Sequence, residues 1–168
     1  MEAVYTWMES PVGKLLLVAD DEGLLETAFA EGRSAPVIDP AWGSAGAALH
    51  EPVRQLQAFF AGELRDFDLP LKPRGTAFQQ RVWELLREIP FGETISYGEL
   101  ARRVGNPAAS RAVGLANGSN PIAIVIPCHR VIGSNGKLTG YGGGLENKRW
   151  LLDFERSQLT LDFRVQAS

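Results

Sequence analysis

The stretch Leu69-Pro70-Leu71-Lys72-Pro73-Arg74-Gly75 constrains this chain more than any other, because two prolines and a glycine in so short a span disfavour both a helix interior and a central strand. It predicts a linker, and with it an N-terminal unit, residues 1–73, and a C-terminal unit, residues 74–168. Charge divides at the same place. The first unit holds five Lys/Arg against twelve Asp/Glu, a net charge of -7, and the second holds twelve against eight, a net of +4. An acidic half that repels nucleic acid is joined to a basic half able to meet phosphates, and the overall charge of -3 conceals both. No apolar run approaches the roughly 18 residues of a membrane span, and Met1-Glu2-Ala3-Val4 lacks the layout of a signal peptide. A cytoplasmic protein without membrane contact is expected. Its one cysteine excludes an internal disulfide and suits a reducing compartment.

In the acidic unit, Val4–Met8, Leu15–Ala19 and Leu24–Phe29 read as short strands. Ser10-Pro11-Val12-Gly13 and Asp20-Asp21-Glu22-Gly23 separate them with hairpin compositions, so an antiparallel meander is expected. Residues 30–45, with Gly32, Ser34, Pro36, Pro40 and Gly43, read as loop. Leu49, Val53, Leu56 and Phe60 then fall on one face of a helix that Gly62 stops, with His50 a solvated or capping residue at its start. Nothing in this unit points to catalysis.

In the basic unit, Thr76 with Gln79 predicts a capping box, opening a helix with Phe78, Val82, Leu85, Leu86 and Ile89 on its apolar face and its end near Pro90. Ser96 with Glu99 predicts a second box, and that helix, turned inward by Leu100 and Val104, closes at Gly105-Asn106-Pro107. Residues 108–118 form a third helix, rich in Ala and Gly, with one long cation, Arg111. Small side chains suit close packing on a neighbour or close approach to a groove floor, and composition leaves both open.

Further on, the apolar run Ile122-Ala123-Ile124-Val125-Ile126 reads as a strand entering a buried place, broken at Pro127, with Val131-Ile132 and the turn residues Gly133 to Gly136 as a short hairpin. Between them lie Cys128, His129 and Arg130. A free thiol with a pKa of about 8.5 is only a few per cent thiolate at neutral pH, so a nucleophilic Cys128 needs a base. His129 is the candidate, with Glu155 able to orient its ring. Adjacent strand residues face opposite ways, so the pair cooperates only if the chain turns at Pro127 or a water bridges them. Taken alone, the pair equally describes a buried small hydrophobe beside a satisfied histidine.

The surrounding residues separate these readings. Ile-Pro-Cys-His-Arg-Val-Ile at 126–132 resembles the active-site signature of the O6-alkylguanine-DNA alkyltransferases, the methylated-DNA–protein-cysteine methyltransferases. Phe91-Gly92-Glu93-Thr94-Ile95-Ser96-Tyr97, then Gly105-Asn106-Pro107-Ala108-Ala109-Ser110-Arg111-Ala112-Val113-Gly114, resemble that family's helix-turn-helix. Asn120-Pro121, the run Gly140-Tyr141-Gly142-Gly143-Gly144-Leu145, and Lys148-Arg149-Trp150-Leu151-Leu152 with Glu155 follow in the family's order. The match spans about residues 76–156.

The resemblance implies an α/β protein, with a small ribonuclease-H-like N-terminal domain and a mostly helical C-terminal domain whose helix-turn-helix is of winged-helix type. It implies double-stranded DNA bearing alkylated bases as partner, entered from the minor groove by a monomer. Arg111 matches the intercalating arginine, with Ala112 and Gly114 beside it and Arg130 among the DNA-binding residues. Tyr97 matches the residue that pushes on the target's phosphate and protonates the leaving base. Cys128 matches the alkyl acceptor, with His129 as base, Glu155 as its orienter and Asn120 ordering the turn around them. Tyr141, Gly142, Gly143 and Gly144 match the loop that walls the base pocket. Gly142 stands where some members carry serine, so a backbone N–H must serve there. No metal or organic cofactor is implied. Some members hold zinc near the N-terminus, and one Cys with two His cannot supply that site. A thioether product implies a single turnover, on O6-alkylguanine and, as a second candidate, O4-alkylthymine. Two alternatives are a cysteine hydrolase, against which the helix-turn-helix argues, and a non-transferring lesion sensor, whose relatives lack the cysteine. A major-groove reader would need more base-reading side chains on its third helix.

Overall fold

The computed structural model describes residues 2–31, 36–44 and 46–167, the stretch 162–167 in backbone only. Strands β1 (Val4–Met8), β2 (Leu15–Ala19) and β3 (Leu24–Phe29) form the expected antiparallel meander, with all of β2 buried. Its first hairpin closes through Gly13 N–H to Ser10 O, with Gly13 at φ 95°, a value that favours glycine. Within the stretch expected to be loop, β4 (Gly43–Ser44) pairs parallel to β1 and completes the order β3-β2-β1-β4. Two residues leave too little pattern for a strand to be read in advance. Gly32 and Ser34 of that stretch lie outside the described residues.

Helix α1 (His50–Phe60) buries Leu56 and Phe59, while Phe60 is only half-buried, so the inward stripe is rotated by one residue from the one expected. His50 is exposed, and Gly62 at φ 78° follows the helix end.

Residues 69–75 are no free linker. Leu24 N–H donates to Pro70 O and Lys72 N–H donates to Leu24 O, both at 2.8 Å. Gly23 permits the approach, since a Cβ there would lie 2.6 Å from Pro70 O. Farther along β3, Thr27 N–H donates to Pro121 O (3.0 Å) and Ala123 N–H to Thr27 O (3.1 Å). The outer edge of β3, which would otherwise offer unpaired backbone groups, is therefore covered by the linker and by the arm that leads to Cys128.

Helix α2 (Ala77–Leu86) starts with both halves of the Thr76–Gln79 capping box and buries Val82, Trp83, Leu85 and Leu86. Phe78 does not join them; it lies in the first turn, a full turn ahead of the buried stripe, and is 38% exposed. Trp83 Nε1 donates to Ala116 O at 2.8 Å, tying α2 to the third helix of the unit. Helix α3 (Tyr97–Val104) begins with Ser96 Oγ accepting from Glu99 N–H, but the reciprocal half of its box is missing because Arg102 and Arg103 hold the Glu99 carboxylate. Gly105, at φ 96°, ends α3. A 3-10 turn at Pro107–Ala109 leads into α4 (Ser110–Gly118), which packs against α3 as a helix-turn-helix. Strand β5 (Ile95–Ser96) pairs parallel to β6 (Val131–Ile132), and α5 (Leu145–Ala167) closes the chain. The hairpin expected after Cys128 is only a turn, closed by Gly133 N–H to Lys137 O, since β6 takes its partner from β5. On α5, Leu151 and Leu152 are core, whereas Trp150 and Phe154 are half-buried and stack on each other at 5.0 Å. Among the described residues no helix is long and apolar enough to cross a membrane.

Candidate active site

The apolar run before Cys128 is a tight turn rather than a strand. After its bridge to β3 it folds back, with Val125 N–H to Ala123 O and Ile126 N–H to Ile122 O, both at 2.9 Å. Ile124 sits at φ 74°, a left-handed conformation that a β-branched residue rarely adopts and that the surroundings must enforce. Asn120 supplies the enforcement. Its Oδ1 accepts from Ile122 N–H at 3.0 Å and its Nδ2 donates to Ile126 O at 2.8 Å, so one side chain clasps both ends of the turn. Cys128–Arg130 then forms a single 3-10 turn. Three residues per turn put Cys128 and His129 about 120° apart instead of on opposite faces, which removes the obstacle a strand would raise.

Glu155, brought in by α5, anchors the next two residues. His129 Nε2 lies 2.7 Å from Glu155 Oε2, and Arg130 reaches both carboxylate oxygens, Nε to Oε1 at 2.9 Å and Nη2 to Oε2 at 3.0 Å. Gly92 N–H also donates to Oε1. His129 and Glu155 are fully buried. Burial pushes the Glu155 carboxyl up, but the hydrogen bonds from His129 and Arg130 and the Arg130 charge outweigh it and hold the group at about 2. Burial pushes the His129 imidazole down and prevails over the pull of Glu155, so the ring is neutral. Beside an ionised carboxylate the neutral ring carries its proton on Nε2, which leaves Nδ1 as a bare acceptor. That Nδ1 is buried and has no hydrogen-bond partner among the described residues. Arg130 is 5% exposed and its Nη1 donates to Ile89 O, so each of its three nitrogens is engaged inside the protein. Its expected place among DNA-binding residues is therefore corrected: Arg130 neutralises and aims Glu155.

Cys128 is 6% exposed. Burial raises its thiol, opposed by the Asn120 side chain and the Lys148 charge, so the resting group is protonated. A cavity of about 410 Å³ opens on it. Asn117, Asn120 and Cys128 line one side, Thr27 and Phe29 of β3 another, and Tyr141, Gly142 and Gly143 a third. Tyr141 is buried, its hydroxyl has no hydrogen-bond partner among the described residues, and burial drives its phenol well above the usual range. Gly142 has open space where a side chain would be, and Gly144, at φ 92°, turns the chain into α5 without lining the cavity.

Tyr97 stands beside this cavity rather than in it. Half-buried at the start of α3, it accepts a hydrogen bond from Thr139 Oγ1 at 3.2 Å. On α4, Arg111 and Ala112 are exposed, and among the described residues no partner holds the Arg111 guanidinium. A Cβ on Gly114 would meet only the Tyr97 ring at 3.7 Å, and one on Gly118 would meet nothing. Close packing on a neighbour does not demand either glycine. Ala112 and Gly118 lie on the exposed face of α4, while Ala116 is buried.

Two further residues, Asn117 on the cavity wall and Lys148 behind it, carry a role the sequence did not suggest. Asn117 presents a buried Oδ1 with no hydrogen-bond partner among the described residues, while its Nδ2 donates to Cys128 O at 3.4 Å. Its signal was a polar residue on the buried stripe of Val113 and Ala116. Lys148 is fully buried, donates to Thr139 O at 2.9 Å, and is close enough to Cys128 for each to shift the other. It lies two helical turns before Glu155 and so on the same face of α5, a spacing visible in sequence.

A small sheet unit joined to a helix-turn-helix, with a buried Cys-His-Glu cluster at a cavity between them, defines a class of DNA-handling proteins with an internal thiol acceptor. Residues 77–157 match the family model described as 6-O-methylguanine DNA methyltransferase, DNA binding domain, and residues 3–73 match the ribonuclease-like domain of the same description. The chain is 54% identical over 153 residues to a methylated-DNA–protein-cysteine methyltransferase of Methanosarcina acetivorans, covering 91% of this chain and 98% of that one. It is 52% identical over 166 residues to the one from Mycobacterium tuberculosis, covering 96% and 97%. The Mycobacterium tuberculosis OGT structure in complex with DNA superimposes with a TM-score of 0.87 at 52% identity, over 92% of this chain and 94% of that one. The chain belongs to the 6-O-methylguanine-DNA methyltransferase family.

Proposed function

We propose that this chain repairs DNA by moving the alkyl group of O6-alkylguanine onto Cys128, once per molecule. The observation that carries the reading is the Cys128 thiol on a base-sized cavity next to a neutral His129 whose only free nitrogen, Nδ1, is an acceptor. In the reaction Cys128 gives its proton to His129 Nδ1 through a water, and the buried Glu155 carboxylate stabilises the imidazolium that forms. The thiolate attacks the alkyl carbon in line; the carbon–sulfur bond forms as the carbon–oxygen bond to guanine breaks. Negative charge gathers on the departing base, and a proton from the Tyr97 hydroxyl neutralises it. The product thioether has no good leaving group, so the protein is spent.

The reactive carbon cannot reach Cys128 from inside the base stack, so the nucleotide must swing out. The exposed small residues of α4 suit a close approach to the minor groove, where readout is nearly independent of sequence, and Arg111 fills the vacated place. Residues 74–168 bind DNA and accept the alkyl group, and residues 1–73 support them. The protein acts as a monomer in the cytoplasm.

Intact-protein mass spectrometry after mixing with an equimolar duplex carrying one O6-methylguanine tests this reading. One methyl on the peptide containing Cys128, stopping at one equivalent, is expected. Unchanged mass with the duplex bound would indicate a lesion sensor, and unchanged mass without binding a hydrolase; either result overturns the proposal.

A further inference from the structure

The acidic unit contributes more to the cavity than support. Thr27 and Phe29 lie two apart on β3 and point to the same face, and both line the cavity with Cys128. Through its backbone, Thr27 binds Pro121 and Ala123, at the root of the arm that presents Cys128. Phe29 meets the opposite wall. Its ring stands edge-on to Tyr141, with centroids 5.5 Å apart and planes at 71°. A Cβ on Gly143 would come within 2.6 Å of the same ring, so the loop rests directly on Phe29 at a point where only glycine fits. A second tie, from Asn147 Nδ2 to Gly143 O at 2.8 Å and Val12 O at 3.3 Å, fastens the loop to the sheet unit.

Both walls of the cavity thus hang from one strand. We infer that Phe29 of the N-terminal sheet is a specificity-determining residue, setting how far the 141–143 loop stands from Cys128 and so how large an O6 substituent the pocket admits. The inference rests on the alkyl-transfer reading above. Phe29 touches no reacting atom in this account: it acts by excluding volume and by propping Tyr141 and Gly143. Removing its ring opens the wall against which a bulky substituent would press, while a methyl group never reaches that wall.

The test is a competition between duplexes carrying O6-benzylguanine and O6-methylguanine, with the benzyl-to-methyl ratio of transfer measured within each protein so that a general loss of activity cancels. For Phe29→Ala the ratio is expected to rise about tenfold, and for the milder Phe29→Leu about threefold, the scale on which an apolar pocket discriminates by size. Phe29→Leu keeps most of the buried apolar volume and decides the matter if Phe29→Ala does not fold. A ratio unchanged within about twofold in the folded variants, or one that falls, overturns the role of Phe29. Failure of the unsubstituted chain to transfer either group would instead overturn the proposed function itself.

Discussion

The cluster around Glu155 and the outer face of α4 are built on opposite principles. Glu155 receives four hydrogen bonds, from His129, Gly92 and twice from Arg130, inside a site where both His129 and Glu155 are fully buried. Among the described residues of that cluster, the one buried polar side-chain atom with no hydrogen-bond partner is His129 Nδ1. On α4, Arg111 and Ala112 face outward and Gly118 borders open space. Under the proposed function, the contrast follows from what each would do. Proton transfer and in-line attack need one geometry fixed before the substrate arrives. A surface that searches duplexes of any sequence needs a low profile and a single adaptable projection.

The comparison breaks if substitutions in the two regions have interchangeable effects. The largest expected effect is at the nucleophile: Cys128→Ser should abolish alkyl transfer in the mass-spectrometric assay and leave duplex affinity within about threefold, less than the loss of one good contact. Loss of binding with transfer retained would remove Cys128 from its role. Glu155→Gln strands the buried Arg130 cation and releases the tautomer of His129. It should cost about 3–5 kcal/mol in urea unfolding and slow single-turnover transfer by roughly 100-fold; normal stability with normal rate would show the cluster to be ornamental.

Acid and alkali should sharpen the same point. The Glu155 carboxyl, at about 2 in the fold against an ordinary 4.5, contributes stability that is complete above pH 4.5 and is lost as pH falls toward 2. That contribution is on the order of 3 kcal/mol at neutral pH. His129, lowered from 6.5, adds a loss that begins as pH drops below 6.5, because the unfolded ring takes up a proton that the buried ring resists. Cys128, raised from 9.0, acts at the other end, and stability present below pH 9.0 declines above it. Urea midpoints across both limbs should show this dome, with the acid limb flattened in Glu155→Gln.

On α4 the effects should be smaller and selective. Arg111→Ala is expected to slow repair in duplex DNA about tenfold with little change on free O6-alkylguanine; an equal loss on both would refute insertion into the stack. Smallest of all, Gly142→Ser has room for its side chain, and it should leave the melting temperature unchanged while raising transfer about twofold, the scale of one exposed hydrogen bond. A slower rate would mean that the backbone alone shapes that wall.

How much of this was legible in sequence depended on how local the determining contacts are. The three strands of the meander and the Thr76 capping box were readable because alternating apolar runs, turn residues and a side chain three positions on specify them within a few residues. The run at 122–126 was misread because an apolar segment without periodicity looks like a buried strand. What makes it a turn is the clasp of Asn120 and a left-handed Ile124, which no propensity announces. Arg130 was misassigned because its partner lies 25 residues away, and a cation in a basic half reads as a phosphate contact until burial is known. Chemistry and family resemblance single out Cys128, His129 and Glu155 in the sequence; that Nδ1 rather than Nε2 is free depends on the fold, which brings Glu155 to Nε2.

The join between the two halves has an evolutionary reading. Two backbone hydrogen bonds between Thr27 and residues 121 and 123 cross it, and two between Leu24 and residues 70 and 72 hold the same strand to the linker. Main-chain bonds are indifferent to the side chains they carry, so β3 can exchange most of its residues over a lineage without letting the halves drift apart. Gly23 is the exception, because any larger residue there would collide with Pro70 O. A repair protein assembled in this way can retune its pocket through the inward residues of one strand while its attachment to the DNA-binding half stays as it was.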